Sequence, residues 1–162
     1  MKHINKIVII ALLAAVACQS PKEKAFNKIK TLEGNDSAFS NELMSELKLA
    51  YLDFATAYPD DEHAAEFTFK AAQRAIVLQQ PTEAVELLAK ILVQYPKSPF
   101  CEEALFLEAY TNENNLNDLP KAKANYEEFL KKYPKGELAQ DASLALENLG
   151  KTPEEILKGE GN

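Results

Sequence analysis

The sequence predicts an all-α fold built from repeated helical hairpins, and three observations carry that reading. Hydrophobic residues make up 46% of the chain against only five glycines and eight prolines, too few turn formers for a loop-rich β fold and rich in strong helix formers. Three Tyr-Pro pairs, Tyr58-Pro59, Tyr95-Pro96 and Tyr133-Pro134, follow one another at intervals of 37 and 38 residues. Before each pair, apolar residues recur at spacings of four, three and four: Leu47, Tyr51, Phe54, Tyr58; Ala84, Leu88, Ile91, Tyr95; Ala122, Tyr126, Phe129, Tyr133. That is one stripe of an α-helix written three times in register. At 162 residues the chain is one domain's worth of material.

Each of these helices is expected to stop at its proline, which cannot continue a helix and pushes the preceding residue out of the helical region. A second helix follows each time. Ala64 and Phe67, Cys101 and Ala104, and Ala139 and Ala142 stand five and eight residues after the three prolines. Starts are marked by Gln80-Pro81-Thr82-Glu83 and Asp118-Leu119-Pro120, with proline in the first turn where its missing N–H costs little. The last long helix should run from Glu137 to Gly150, with Gly150 just past its end. Thr152-Pro153-Glu154-Glu155 reads as a capping box opening a short final helix through Ile156 and Leu157. The helical domain is placed at 39–158, with a frayed tail at 159–162.

The N-terminus reads as a targeting segment. Met1-Lys2-His3 and Lys6 are basic, Ile7 to Ala17 is an unbroken apolar run, and Ala15-Val16-Ala17-Cys18 puts small residues before a cysteine. This resembles a bacterial lipoprotein signal. The resemblance implies removal of residues 1–17 and lipid on Cys18. It also implies anchoring in the cell envelope of a Gram-negative-type bacterium, at the outer membrane facing the periplasm or exposed at the surface. Losing Lys2 and Lys6 takes the formal net charge from −7 to −9, which disfavours nucleic acid as a partner. With Cys18 lipidated, Cys101 has no disulfide partner and is expected to be a small core residue. Residues 18–38 are then a tether. Its Ala25, Phe26, Ile29 and Leu32 fall at helical spacing, giving either a short docked helix or a disordered leash. Gly34-Asn35-Asp36 breaks this piece, and Ser37 is expected to cap the next helix.

The hairpin pattern resembles the tetratricopeptide repeat, on the strength of Ala122-x-x-x-Tyr126 with Pro134 and Ala84-x-x-x-Leu88 with Pro96. The first copy has Leu47 in place of alanine, and the tryptophan and Gly-x-x-Tyr of the repeat's first helix are missing. The resemblance covers about residues 40 to 149. It implies a right-handed solenoid with about two full hairpins between flanking half-repeats. It also implies a non-enzymatic protein-binding adaptor whose groove is lined by the first helix of each hairpin. Carried over by distance after each proline, the groove positions are His63, Glu66, Lys70, Gln73 and Arg74; then Phe100, Glu103, Leu107 and Tyr110; then Leu138, Asp141 and Ala145. The middle row is apolar for an open surface. It is either the floor of a partner site or core covered by Phe26 and Ile29, by Leu116 or by Ile156 and Leu157.

Catalytic and metal chemistry have little to stand on. After processing, His63 is the only histidine and no Gly-rich phosphate loop exists. Asn112 to Asp118 is oxygen-rich but lacks the glycine and terminal glutamate of a calcium loop. Asp60-Asp61-Glu62 and Glu102-Glu103 stand near helix N-termini, where the helix dipole favours acids. No metal and no cofactor is expected beyond the lipid on Cys18. The expected partner is an envelope protein or peptide, with the membrane reached through the lipid. The other reading of the same features is an accessory subunit or regulator of a cell-wall or glycan-processing enzyme.

Overall fold

In a computed structural model of the chain, residues 19–35, 40–152 and 154–155 are described. They form seven α-helices and no strand among the described residues: α1 Pro21–Glu33, α2 Asn41–Ala57, α3 Ala64–Val77, α4 Pro81–Gln94, α5 Cys101–Asn114, α6 Leu119–Lys132 and α7 Ala139–Asn148. Each helix packs chiefly on the helices before and after it in sequence. The fold is therefore a helical-repeat solenoid, and its core is a row of clusters rather than one centre.

The three Tyr-Pro turns have one geometry. Tyr58, Tyr95 and Tyr133 close α2, α4 and α6 with φ/ψ of −133/63°, −125/52° and −126/56°. All three lie outside the right-handed helical region, as a following proline requires. Each tyrosine carbonyl then accepts the N–H three residues on, from Asp61 at 3.0 Å, Ser98 at 2.8 Å and Gly136 at 3.1 Å. The carbonyls of Asp61, Ser98 and Gly136 in turn accept from Ala64, Cys101 and Ala139, which open the next helix. His63, Phe100 and Leu138 occupy the three N-cap positions without side-chain caps. The turn hydrogen bonds do the capping work, so those side chains are free for packing.

The stripes read from sequence are the core. Leu47, Tyr51, Phe54, Ala84, Leu88, Ile91, Ala122, Tyr126 and Phe129 are all buried. Ala64, Cys101, Ala104 and Ala142 are buried opposite them, where small side chains let neighbouring helices approach. Cys101 is a free thiol whose Sγ donates to the Tyr95 carbonyl at 3.1 Å, and burial pushes its pKa up. Lys48 is buried too, with its ammonium 2.5 Å from Glu83 and 2.6 Å from Gln80 at the start of α4. A buried cation held by two acceptors fixes α2 against α4.

Helix α1 is part of this stack. Its Ile29 is fully buried in the first cluster, among Leu47, Tyr51 and Phe54. Two correspondences place it as the first helix of a hairpin with α2. Tyr51 donates to Glu33 of α1 at 2.9 Å, as its repeat counterpart Tyr126 donates to Glu113 of α5 at 2.8 Å. Phe26 of α1 packs on His63 with ring centroids 4.9 Å apart, as Phe69 of α3 packs on Phe100 at 5.5 Å. The described chain is thus three hairpins, α1–α2, α3–α4 and α5–α6, closed by α7. Of the two readings of residues 18–38, the docked helix is the one observed.

The cap of α2 is Ser40, whose hydroxyl accepts from Leu43 N at 3.1 Å. Ser37, the expected cap, lies outside the described residues, and the helix begins three residues later than that cap requires. Gly150 follows α7 with φ +75°, the left-handed conformation that glycine adopts without strain. Thr152 and Glu155 exchange both bonds of the capping box, at 2.8 and 3.3 Å. Ile156 and Leu157 lie outside the described residues.

Leu88 tests the alignment because it stands where Tyr51 and Tyr126 stand. Leu88→Ala should lower the unfolding free energy by roughly 2–5 kcal/mol, the range for a buried leucine. Chemical denaturation measures this, and a loss no larger than that of Val93→Ala on the exposed side of α4 would contradict the shared core position.

Candidate functional site

The residues expected to line one groove fall into two environments. His63, Glu66 and Lys70 of the first row face α1 and hold it. The His63 ring packs against both Phe26 and Phe67, 4.9 and 5.5 Å from their centroids, and its Nδ1 is 3.4 Å from Glu66. Lys70 is 2.8 Å from both Glu33 and Glu66. Lys22 pairs with Asp61 at the other end of α1. Arg74 borders a separate 570 Å³ cleft with Leu32, Glu33, Met44, Tyr51 and Val77. Apart from Gln73, this row serves the joint between the first and second hairpins.

The second row opens onto a cavity of about 460 Å³ between α3, α5 and the turn into α7. Of the expected groove residues, Gln73 of the first row, Glu103 and Leu107 of the second and Leu138 of the third line it. Phe100 lies at its edge, stacked on Phe69 and half-buried. Leu107 is partly buried against the second cluster, and Tyr110, one turn further along α5, is 46% exposed. Asp141 and Ala145 stand on α7 outside the lining, Asp141 exposed and Ala145 packed on the third cluster. Phe26 and Ile29 do not cover this row. They belong to the first cluster, at the joint made by α1.

Five lining residues were not anticipated: Phe69, Pro99, Glu102, Phe106 and Glu137. Phe69 and Phe106 are 37 residues apart, the interval of the first two Tyr-Pro pairs, so the period itself carries the signal. Together with Leu107 and Leu138 they make an apolar floor. Phe106 is held in place by edge-to-face contacts with Tyr126 and Phe129, at 5.9 and 5.8 Å.

The walls are carboxylates. Glu102 and Glu103 come from the first turn of α5, and Glu137 precedes α7. Glu102 is laid over the Tyr133–Gly136 turn, so close that a Cβ on Gly136 would fall 2.0 Å from its Oε1. That oxygen is enclosed and has no hydrogen-bond donor. No lysine, arginine or histidine lines the cavity. Among the described residues, no group of three or more His, Cys, Asp or Glu is arranged to hold a metal ion. The oxygen-rich Asn112–Asp118 run forms a turn instead. Asp118 N donates to the Asn112 carbonyl at 2.7 Å, and the Asp118 side chain caps α6.

Two segments of the chain match the family model of the tetratricopeptide repeat, residues 64–98 and 103–136. They coincide with the hairpins α3–α4 and α5–α6 and their closing Tyr-Pro turns. The cavity thus lies between the first helices of two matched hairpins. No curated protein matches the chain.

The joint with α1 makes a pH prediction. Burial raises the Glu33 pKa, but hydrogen bonds from Lys70, Lys30 and Tyr51 outweigh it and hold the carboxyl down to about 2, from an ordinary value of 4.5. Burial and Glu33 together push Tyr51 up to about 12. A carboxyl whose pKa is depressed on folding stabilises the fold above its unfolded value and loses that contribution as pH falls through the folded one. Stability should therefore drop between pH 4.5 and 2, and Glu33→Gln should flatten that part of the profile. Denaturation across this range measures it, and identical profiles for the two proteins would contradict the role of the joint.

Proposed function

We propose that this chain is a non-enzymatic adaptor, held at the cell envelope by lipid on Cys18, that binds a segment of an envelope protein between α3, α5 and α7. One observation carries the binding reading: the cavity of about 460 Å³ with an apolar floor of Phe69, Phe106, Leu107 and Leu138. Its size falls within the range of about 300–1,000 Å³ usual for binding clefts. Its lining is carboxylate and apolar apart from Gln73. The two repeat matches support the same reading, since tetratricopeptide repeats are protein-interaction modules.

The anchor rests on the sequence. The basic start, the apolar run to Ala17 and the small residues before Cys18 resemble a lipoprotein signal. Ser20 caps α1 only two residues after Cys18. Lipid at Cys18 would set the first hairpin close against the bilayer, leaving the groove of the second and third hairpins for a partner. No helix among the described residues is long and apolar enough to cross a membrane. Outer-membrane residence facing the periplasm is the placement proposed.

Two experiments test the halves separately. Cys18→Ser should abolish fatty-acid labelling and release the chain from membranes; a variant that stays membrane-bound after cleavage elsewhere contradicts the anchor. A photo-crosslinking residue at position 107 in cells should form a defined protein adduct that the same residue at the 79%-exposed Val93 position does not. Equal adducts at both positions, or adducts only at 93, would contradict the groove.

A further inference from the structure

We infer that the groove selects a cationic segment: a partner stretch that seats an aromatic or aliphatic side chain on the floor and sets lysine or arginine against the walls. This rests on the groove reading above and adds the chemistry of its ligand. Three features point to it. The floor of Phe69, Phe106, Leu107 and Leu138 rewards burial of one large apolar side chain. Glu102, Glu103 and Glu137 surround that floor with no cation among the lining residues. Lys70, the lysine of α3, lies outside the lining and is held by Glu33 and Glu66 at 2.8 Å each, so it does not neutralise the walls.

A guanidinium or ammonium is the strongest donor to such walls, because its bond to a carboxylate is charge-assisted. An acidic segment would meet three like charges and be repelled, so the same residues that attract one class exclude the other. The net charge of the whole chain, −7, steers encounter in the same sense.

Fluorescein-labelled peptides with one central Phe, flanked by Lys and Arg, by Gln, or by Glu, test this by fluorescence anisotropy on the full chain. The Lys/Arg-flanked peptide should bind about tenfold more tightly than the Gln-flanked one, the ratio expected for one charge-assisted bond over a neutral one. The Glu-flanked peptide should be weaker still, and added salt should narrow the gap. Glu103 and Glu137 are both exposed, so Glu103→Lys with Glu137→Lys should fold and reverse the order of preference. Glu103→Gln with Glu137→Gln, which should abolish the preference, serves if the reversal disturbs folding. Equal binding of all three peptides overturns the charge selection and leaves the groove reading standing. Preference for the cationic peptide that survives both variants places it elsewhere on the acidic surface and overturns the inference. Binding of none of them overturns the groove reading as well.

Discussion

The proline ring after Tyr58, Tyr95 and Tyr133 denies each tyrosine the right-handed helical conformation, and the stack is built outward from that exclusion. Because the tyrosine leaves the helix at one fixed φ/ψ, its carbonyl points at the N–H three residues on and closes a turn. That turn starts the next helix without a side-chain cap. The N-cap side chain is thereby released to pack, and His63, Phe100 and Leu138 each reach toward the preceding hairpin. A cap residue that also served as Ser or Asp could not do this. Regular stacking and a side-chain row between hairpins thus have a common origin.

The row differs in chemistry from one joint to the next. At the first joint Phe26 of α1 covers His63, and Lys70 is spent on Glu33 and Glu66. At the second joint no comparable cation reaches the walls. Phe69, Phe106 and Leu107 line an opening, with Glu102, Glu103 and Glu137 around it. One scaffold therefore gives a closed joint near the N-terminus and an open, acidic one in the middle. The difference lies in a few side chains, since the backbone of the two turns is nearly the same.

The core was legible because proline and tyrosine fix its register. Tyr51, Leu88 and Tyr126 could be aligned by counting back from each Tyr-Pro pair, and all three are buried. The second helices were legible by counting forward, through Ala64, Cys101 and Ala139. The place of α1 was not. Its partner helix α2 has 17 residues where α4 and α6 have 14, and residues 34–40 make a longer connection than 78–80. Both shift Phe26 and Glu33 off the period that relates Phe69 to Phe106. The split of the groove followed from the same cause: without α1 in place, His63, Glu66 and Lys70 looked like open surface. Glu102 escaped notice because its role depends on the bare Cα of Gly136, a contact across 34 residues that no local pattern encodes.

The backbone at the three tyrosines is where this account is most exposed to measurement. Backbone carbon chemical shifts of the isotopically labelled chain report local φ/ψ residue by residue. The account predicts closely similar, non-helical shifts at Tyr58, Tyr95 and Tyr133, each preceded by an unbroken run of helical values and followed within six residues by another. Helical shifts at any of the three, or three dissimilar values, would contradict a stack set by one repeated turn.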